Sequence, residues 1–331
     1  MENTQKLTER ESTAINLMKA LAVLSVIAAH VVSFNDSSLF SKVVSSFWAV
    51  FGEVGVIIFF VIGGFLYKRK TGDNKEFWKK RSLRILLPWF FCSAITYALQ
   101  AIVSSEWGVV SYIKWVLGSG TWYYYITVYT AFIFVFKLFY KKDVALYIFM
   151  GIQLFVLTLQ SFGVIITYPL GFFTDYLNPF HWAGYFSLGI LIRKYRVDVI
   201  LRERKAALFV AGVISVASLF FLCYKEIFTY FHIISLVFCI SALIPLAAFS
   251  YTIAKHNAVK KIGKIGTYSY CIYLLHMQIV QGVCSKIPDG VLKSIFSPFI
   301  GLAIMLIIIL CGLFICNRLP FGDKIKTIVG L

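Results

Sequence analysis

Long apolar runs alternate with short polar segments along almost the whole chain. A run of about 20 apolar residues matches the ~30 Å hydrocarbon core that one helix must cross, whereas the strands of a membrane barrel alternate apolar and polar residues over ~10 positions. The chain has the first pattern, so we predict an all-α polytopic membrane protein with about ten transmembrane helices. The predicted spans are residues 13–34, 45–67, 84–103, 122–140, 144–166, 179–193, 206–224, 231–251, 266–284 and 293–317.

Basic residues fall mainly on one side of these spans. When the N-terminus is placed in the cytoplasm, most of the 32 Lys and Arg residues lie in cytoplasmic segments, as the positive-inside rule requires. The outer segments hold Lys42, Lys114, Lys225, Lys286 and Lys293. We therefore predict one membrane domain over residues 1–331, with a cytoplasmic N-terminal segment at 1–12 and a cytoplasmic tail at 318–331.

Composition excludes several classes of protein. Of the 331 residues, 60% are apolar and 14% are charged, which does not fit a soluble domain. The net charge of +17 follows from the positive-inside distribution, so we predict no nucleic-acid partner. The seven cysteines form no CxxC pair, and no HExxH, GxSxG or P-loop pattern occurs. We therefore expect no metal site and no permanently bound cofactor.

Two ionisable residues lie within the first predicted span. Lys19 and His30 are eleven residues apart, which corresponds to ~16 Å along a helix and to nearly the same face. Ionisable groups at membrane depth are costly and are usually functional. The alternative is a lysine that extends to the interface and a histidine that is hydrogen-bonded between helices. We interpret the aligned pair as part of a functional site.

Two further polar residues at depth are candidates for catalysis. Glu53 lies in the second span, and pairing with His30 would fix the tautomer of that imidazole and raise its basicity. The alternatives are an ion pair with Lys19 or a water-filled vestibule. His276 lies in the ninth span, and we expect Ser269 and Tyr273 to lean to its side of the helix.

A basic pair precedes the third span. Arg81 and Arg84 are three residues apart and would share a face of an α-helix. Arginines in this arrangement suit phosphate groups because they form bidentate contacts. Ordinary anchoring at the cytoplasmic membrane surface is the alternative.

Four segments together resemble a known family. Lys19 and His30 fit an Arg/Lys-x10-His pattern, and FFVIGGFL at 59–66 resembles an FFxxSGF/Y motif with Gly63 in the place of the usual Ser. KKRSLRILLPW at 79–89 resembles an RxxR segment, and YSYCIYLLHMQIV at 268–280 resembles a YLxH segment. In this order and over ten spans, they resemble acyltransferase family 3, the bacterial membrane enzymes that O-acylate surface polysaccharides and other cell-envelope glycans.

The resemblance implies a function and assigns roles to the candidate residues. It implies an acyl-CoA-dependent O-acyltransferase of the bacterial cytoplasmic membrane, with acetyl-CoA as the first candidate for the co-substrate and a surface or lipid-linked glycan as the acceptor. Catalysis is then assigned to His30, Glu53 and His276, and acyl-CoA binding to Lys19, Arg81 and Arg84. GTWYYYITVY at 120–129 resembles an HxWFL-type segment without its leading His, and we expect Trp122, Tyr123 and Tyr124 to bind the acceptor.

Several alternatives stay open from the sequence alone. The donor can be succinyl-CoA or another short acyl-CoA, and His30 can act as a general base or carry the acyl group covalently. A transporter or flippase of a lipid-linked sugar or polysaccharide would also suit ten spans with a polar interior. A scaffold that has lost activity is a third possibility, because Gly63 departs from the family motif.

Overall fold

The computed structural model describes residues 7–36, 38–67, 74–105, 107–166, 168 and 173–331. Throughout these residues the regular structure is helical, as predicted. The α-helices are α1 (Glu9–Val31), α2 (Leu39–Phe65), α3 (Asn74–Arg81), α4 (Leu87–Ser104), α5 (Val109–Leu117), α6 (Tyr124–Phe139), α7 (Asp143–Ser161), α8 (Ala183–Tyr195), α9 (Val197–Glu203), α10 (Lys205–Tyr224), α11 (Ile233–Ile253), α12 (Asn257–Gly263), α13 (Ser269–Cys284), α14 (Val291–Cys316) and α15 (Gly322–Val329). Short 3-10 helices cover Asp175–Leu177, Pro179–His181 and Lys264–Tyr268, and a π-helical turn covers Ser82–Leu86.

Every predicted span coincides with a helix. Within the described part of the chain, seven helices are long and apolar enough to cross a membrane, counting the π turn and α4 as one. The helices at the other three predicted spans, α6, α8 and α13, have 16, 13 and 16 residues. The membrane class is thereby supported, whereas the count of ten crossings and the cytoplasmic position of both ends stay predictions.

The first helix occupies the centre of the bundle. It begins with a capping box in which Thr8 and Glu11 satisfy each other's backbone and side-chain groups, and it packs against α2, α11, α13 and α14. Small residues allow the close approach to α2, where Ser25 Oγ donates to the carbonyl of Phe51 at 2.6 Å. This central position brings both ends of the Lys19–His30 stripe against neighbouring helices.

The outer helices expose apolar side chains. On α10, Phe220 is 71% exposed, and on α14, Leu310 is 60% exposed. A continuous apolar exterior would be unstable in water and suits contact with lipid chains. These helices therefore form the lipid-facing wall of the protein.

The basic motif before the third span does not form the expected helical face. Helix α3 continues into α4 through the π turn Ser82–Leu86, and a π turn contains more residues than an α turn. Arg81 is half-buried and Arg84 is exposed. The expectation of one shared face assumes α-helical geometry, and the π turn changes the rotation between the two arginines, which also differ in exposure. The wide turn also presents the carbonyl of Ile85, which accepts a hydrogen bond from Tyr270 Oη at 2.7 Å.

Candidate active site

Two histidines from distant parts of the sequence meet inside the bundle. The rings of His30 on α1 and His276 on α13 lie 5.2 Å apart between centroids, tilted by 39°. Tyr273 and Trp122 border His276, with ring distances of 5.6 Å and 6.2 Å. The sequence identified both histidines as candidates, and only the fold brings them together.

Hydrogen bonding fixes the tautomer of His276. Its Nδ1 lies 2.8 Å from the carbonyl oxygen of Tyr273, and a carbonyl only accepts, so Nδ1 carries the proton. In the neutral ring, Nε2 therefore carries the lone pair, and this atom is buried without a hydrogen-bond partner among the described residues. His276 thus presents a base whose orientation is set by its own helix.

A cavity of about 700 Å³ opens beside His30, at the end of the bundle that the charge pattern predicts to face outward. We call it the outer cavity. It lies between the last turn of α1, the C-terminal halves of α4 and α13, and the first turn of α14. The imidazole ring of His30 forms no hydrogen bond with any residue that the structure describes. Its ring is therefore available to a ligand in the outer cavity.

A second cavity of about 190 Å³ lies toward the opposite end of the bundle. This inner cavity is lined by Lys19, Gly63, Tyr129, Ser269 and Tyr273, among others. Ser269 and Tyr273 were expected on the His276 side of α13: Tyr273 lines a gap together with His276, and Ser269 lines the inner cavity together with Tyr273. Gly63 matters here because a Cβ at this position would lie 2.6 Å from the ring of Tyr129. The glycine therefore allows the tyrosine to sit against α2 in the cavity wall.

A narrow constriction separates the two cavities. Phe59 and Tyr273 line the inner cavity and also a gap beneath His276 that has no room for a water molecule. The hydroxyl of Tyr273 donates to the backbone carbonyl of Trp122, which holds this ring in place. His276 thus lines a gap whose wall shares Phe59 and Tyr273 with the inner cavity, and its neighbour His30 lines the outer cavity.

The three residues predicted to bind acyl-CoA lie in different surroundings from one another. Lys19 lines the inner cavity and makes no hydrogen bond or ion pair with the described residues. Arg81 lies over the ring of Tyr67 at 5.9 Å and is an electrostatic neighbour of Tyr129, whereas Arg84 is exposed on the surface. Lys19 is therefore the predicted contact that directly faces the inner cavity.

Glu53 does not join the histidines. Gly52 is the residue of α2 that meets α1 at Ala29, and one residue further the helix has turned by ~100°. Glu53 consequently lies among Tyr185, Tyr230 and Ser235, and both of its carboxylate oxygens lack a hydrogen-bond partner among the described residues. Neither hypothesised pair, with His30 or with Lys19, is formed, and a catalytic role for Glu53 stays a prediction.

The aromatic segment predicted to bind the acceptor is buried. Trp122, Tyr123 and Tyr124 are at most 7% exposed. Trp122 Nε1 and Tyr123 Oη both donate to the carbonyl of Leu274 on α13, at 3.4 Å and 2.9 Å, and Tyr124 stacks on Trp182. In this conformation the segment positions the helix that carries His276 and presents no stacking surface to a sugar. Acceptor binding by these residues therefore stays a prediction that requires their exposure.

Comparison with known proteins establishes the family. A family model described as an acyltransferase domain matches residues 12–318, nearly the whole chain. The chain belongs to acyltransferase family 3. The resemblance inferred from the short motifs is thereby confirmed. No curated protein and no solved structure shows a significant match to the chain.

Family membership gives the two cavities a context. The Lys19–His30 pattern places one residue at each cavity, on the side of α1 that meets α13. The segment at 59–66 contributes Phe59 and Gly63 to the inner cavity, and the segment at 268–280 contributes Tyr273 and His276 to the constriction. Phe59 and Tyr129 belong to the segments quoted at 59–66 and 120–129, yet no cavity role was predicted for them, because aromatic residues in apolar runs carry no signal that separates cavity walls from lipid-facing positions.

Proposed function

We propose that this acyltransferase moves an acyl group, acetyl in the first instance, from cytoplasmic acyl-CoA to a hydroxyl of a surface or lipid-linked glycan. The observation that carries the proposal is the pair of histidines between two cavities in a chain of this family. One cavity suits the donor and the other suits the acceptor. The acyl group then needs to cross only the constriction between them.

Donor binding would use the inner cavity. Lys19 is a cation at its wall without a protein partner among the described residues, and Arg81 lies behind Tyr129. A pantetheine arm of roughly 15–20 Å, by extended-chain geometry, is comparable with the ~16 Å between the levels of Lys19 and His30. Because Phe59 and Tyr273 close the path, delivery of the thioester carbonyl requires these two side chains to move.

The transfer itself needs a base near the acceptor. In the direct route, an imidazole nitrogen of His30 removes the proton of the acceptor hydroxyl, the oxygen attacks the thioester carbonyl, and the C–S bond breaks to release the CoA thiolate. The proton taken by the imidazole then neutralises the thiolate. In the covalent route, the imidazole first attacks the carbonyl and the C–S bond breaks to release the thiolate. The acceptor hydroxyl then attacks the acyl group, the bond from the acyl carbon to the ring nitrogen breaks, and the hydroxyl proton ends on the thiolate.

The donor site can be tested by acetyl-CoA binding. We expect Lys19→Ala to weaken the affinity about tenfold or more, since a contact to a charged group contributes ~1.5–3 kcal/mol. Arg81→Ala should weaken it more than Arg84→Ala, because Arg81 is the arginine next to the inner cavity. Isothermal titration in detergent or nanodiscs measures the affinities, with Lys42→Ala on the predicted outer side as the matched control. Unchanged affinity in Lys19→Ala would remove the donor from the inner cavity.

Ester formation distinguishes the enzyme from a transporter. The purified protein is placed in liposomes with labelled acetyl-CoA outside and an extract of bacterial envelope glycans inside, and a second set of liposomes has the reverse arrangement. We expect an acetyl ester to form in one of the two arrangements. A transporter of lipid-linked sugars would instead move glycan without consuming acetyl-CoA. Glycan movement with no CoA release would therefore favour the transporter.

A further inference from the structure

Among the described residues that line the outer cavity, one is a lysine or arginine, Lys293. This lysine lies in the first turn of α14, and its side chain is only 10% exposed. Cys284 on α13 is an electrostatic neighbour of the ammonium group. A lysine buried in a cavity wall is costly without a partner for its charge.

Lys293 does not use all of its hydrogen-bond donors in the contact with its partner, Asp289. Its Nζ donates to Asp289 Oδ1 at 2.9 Å, and it forms no other hydrogen bond with the residues that the structure describes. An ammonium group has three N–H donors. Two donors are therefore available to a ligand in the outer cavity.

Asp289 holds the lysine at the mouth of the cavity. Its carboxylate also accepts hydrogen bonds from Ser33 Oγ at 2.9 Å and from Asn35 Nδ2 at 3.2 Å. The hydrogen bonds from Lys293, Ser33 and Asn35 lower the pKa of Asp289 to about 2, so this carboxylate stays ionised at neutral pH. The network ties the segment after α1 to the start of α14 and fixes the position of Lys293 relative to His30.

The first turn of α14 adds to the positive potential. Its N-cap residue is Gly290, which has no side chain to accept from the first backbone N–H groups, and the turn contains no acidic residue. Helix N-termini favour anions, and the carboxylate of Asp289, one residue before the N-cap, already pairs with Lys293 here. A further anionic ligand would meet the two remaining N–H donors of Lys293 and the uncapped backbone N–H groups of this turn.

The rest of the cavity suits an amphipathic molecule with hydroxyl groups. Gln100, Gln281 and Ser285 line it with neutral donors and acceptors. Leu99 and Val103 on α4 also line it, and they are 54% and 83% exposed on the apolar exterior. The cavity thus extends from the ring of His30 to both a cationic group and the lipid-facing surface.

We propose that the outer cavity binds an acceptor that carries an anionic group, phosphate or carboxylate, which pairs with Lys293 while a hydroxyl of the same molecule reaches His30. This inference rests on the proposed function and adds the substrate class. The phosphate of a lipid carrier and the carboxylate of an acidic sugar share this chemistry. Lys293 is then the residue that selects charged acceptors over neutral ones.

Binding to two matched pairs of probes tests the proposal in nanodiscs of zwitterionic lipid. One pair is citronellyl pyrophosphate and citronellol, and the other is methyl glucuronide and methyl glucoside. We expect the anionic member of at least one pair to bind at least tenfold more tightly than its neutral partner, and the responding pair identifies the source of the anion. Lys293→Gln should abolish that preference, and Lys293→Arg should keep it within a few-fold.

The exposed Lys286 provides the matched control, since Lys286→Gln removes the same charge from the neighbouring surface and should change nothing. The proposal is overturned if neither anionic probe binds better than its neutral partner, or if Lys293→Gln retains the preference. Release of CoA from acetyl-CoA is measured on the same preparations. CoA release without a preference for the anionic probes refutes this inference alone. If the protein neither releases CoA nor binds acetyl-CoA, the proposed function is refuted.

Discussion

Replacement of His30 with alanine should lower the rate of acyl transfer about a hundredfold to ten-thousandfold while acetyl-CoA still binds with its normal affinity. The reason is that a positioned base contributes about this factor, and His30 faces the outer cavity rather than the inner cavity in which the donor is placed. Ester formation measured with labelled acetyl-CoA gives the rate, and titration calorimetry gives the donor affinity. A large loss of donor affinity would place CoA elsewhere.

Substitutions at two other histidines serve as comparisons for His30→Ala. His256→Ala changes an exposed residue outside the site and should leave the rate unchanged. His276→Ala should also reduce the rate strongly, because it removes the ring 5.2 Å from His30 and the unpaired Nε2 at the constriction. Full activity in His30→Ala would show that the ring beside the outer cavity is not needed for transfer.

Replacement of Gly189 with alanine should strongly destabilise the helix bundle. A Cβ at this position would lie 2.0 Å from the carbonyl oxygen of Val61 and 2.7 Å from the backbone nitrogen of Phe65. Because the clash is with backbone atoms of α2, helices α2 and α8 must separate, which costs about 3 kcal/mol or more for overpacking. We expect aggregation on size-exclusion chromatography, or a clearly lower midpoint of thermal unfolding in detergent.

Gly212 on α10 supplies the matched control. A Cβ there meets no atom within 4 Å, and alanine is favoured over glycine in a helix by about 1 kcal/mol. Gly212→Ala should therefore leave the unfolding midpoint unchanged or raise it slightly. Equal behaviour of the two variants would contradict the close crossing of α2 and α8.

Glu53 illustrates how far sequence reasoning reaches in such a protein. Its position in an apolar run correctly indicated a buried carboxylate, since it is 3% exposed. Its partner could not be predicted, because helices that are apolar on all sides give no periodic pattern that shows which faces meet. The one-residue offset between Gly52 and Glu53 decided the outcome by turning the carboxylate away from α1.

The basic motif and the aromatic segment both show that packing decides what a local pattern leaves open. The spacing of Arg81 and Arg84 implies one face only in a regular α-helix, and the π turn at Ser82–Leu86 changes the rotation between them. Trp122 and Tyr123 are aromatic residues of the kind expected to stack on a sugar ring, yet their side chains donate hydrogen bonds to the backbone of α13. Residue type sets the chemistry that a side chain can perform, and packing selects which of its possible partners it meets.

The sequence by itself determined the helical class, the position of each apolar helix, the family, and the presence of Lys19, His30 and His276 within apolar helices. These features depend on run length, spacing along one helix and local motifs, all of which are readable along the chain. Only the tertiary structure decided that His30 and His276 meet, that Phe59 and Tyr273 separate two cavities, and that Lys293 enters the outer one. Those contacts join residues far apart in sequence, and they depend on how close helices approach and how far each is rotated, which local patterns do not encode.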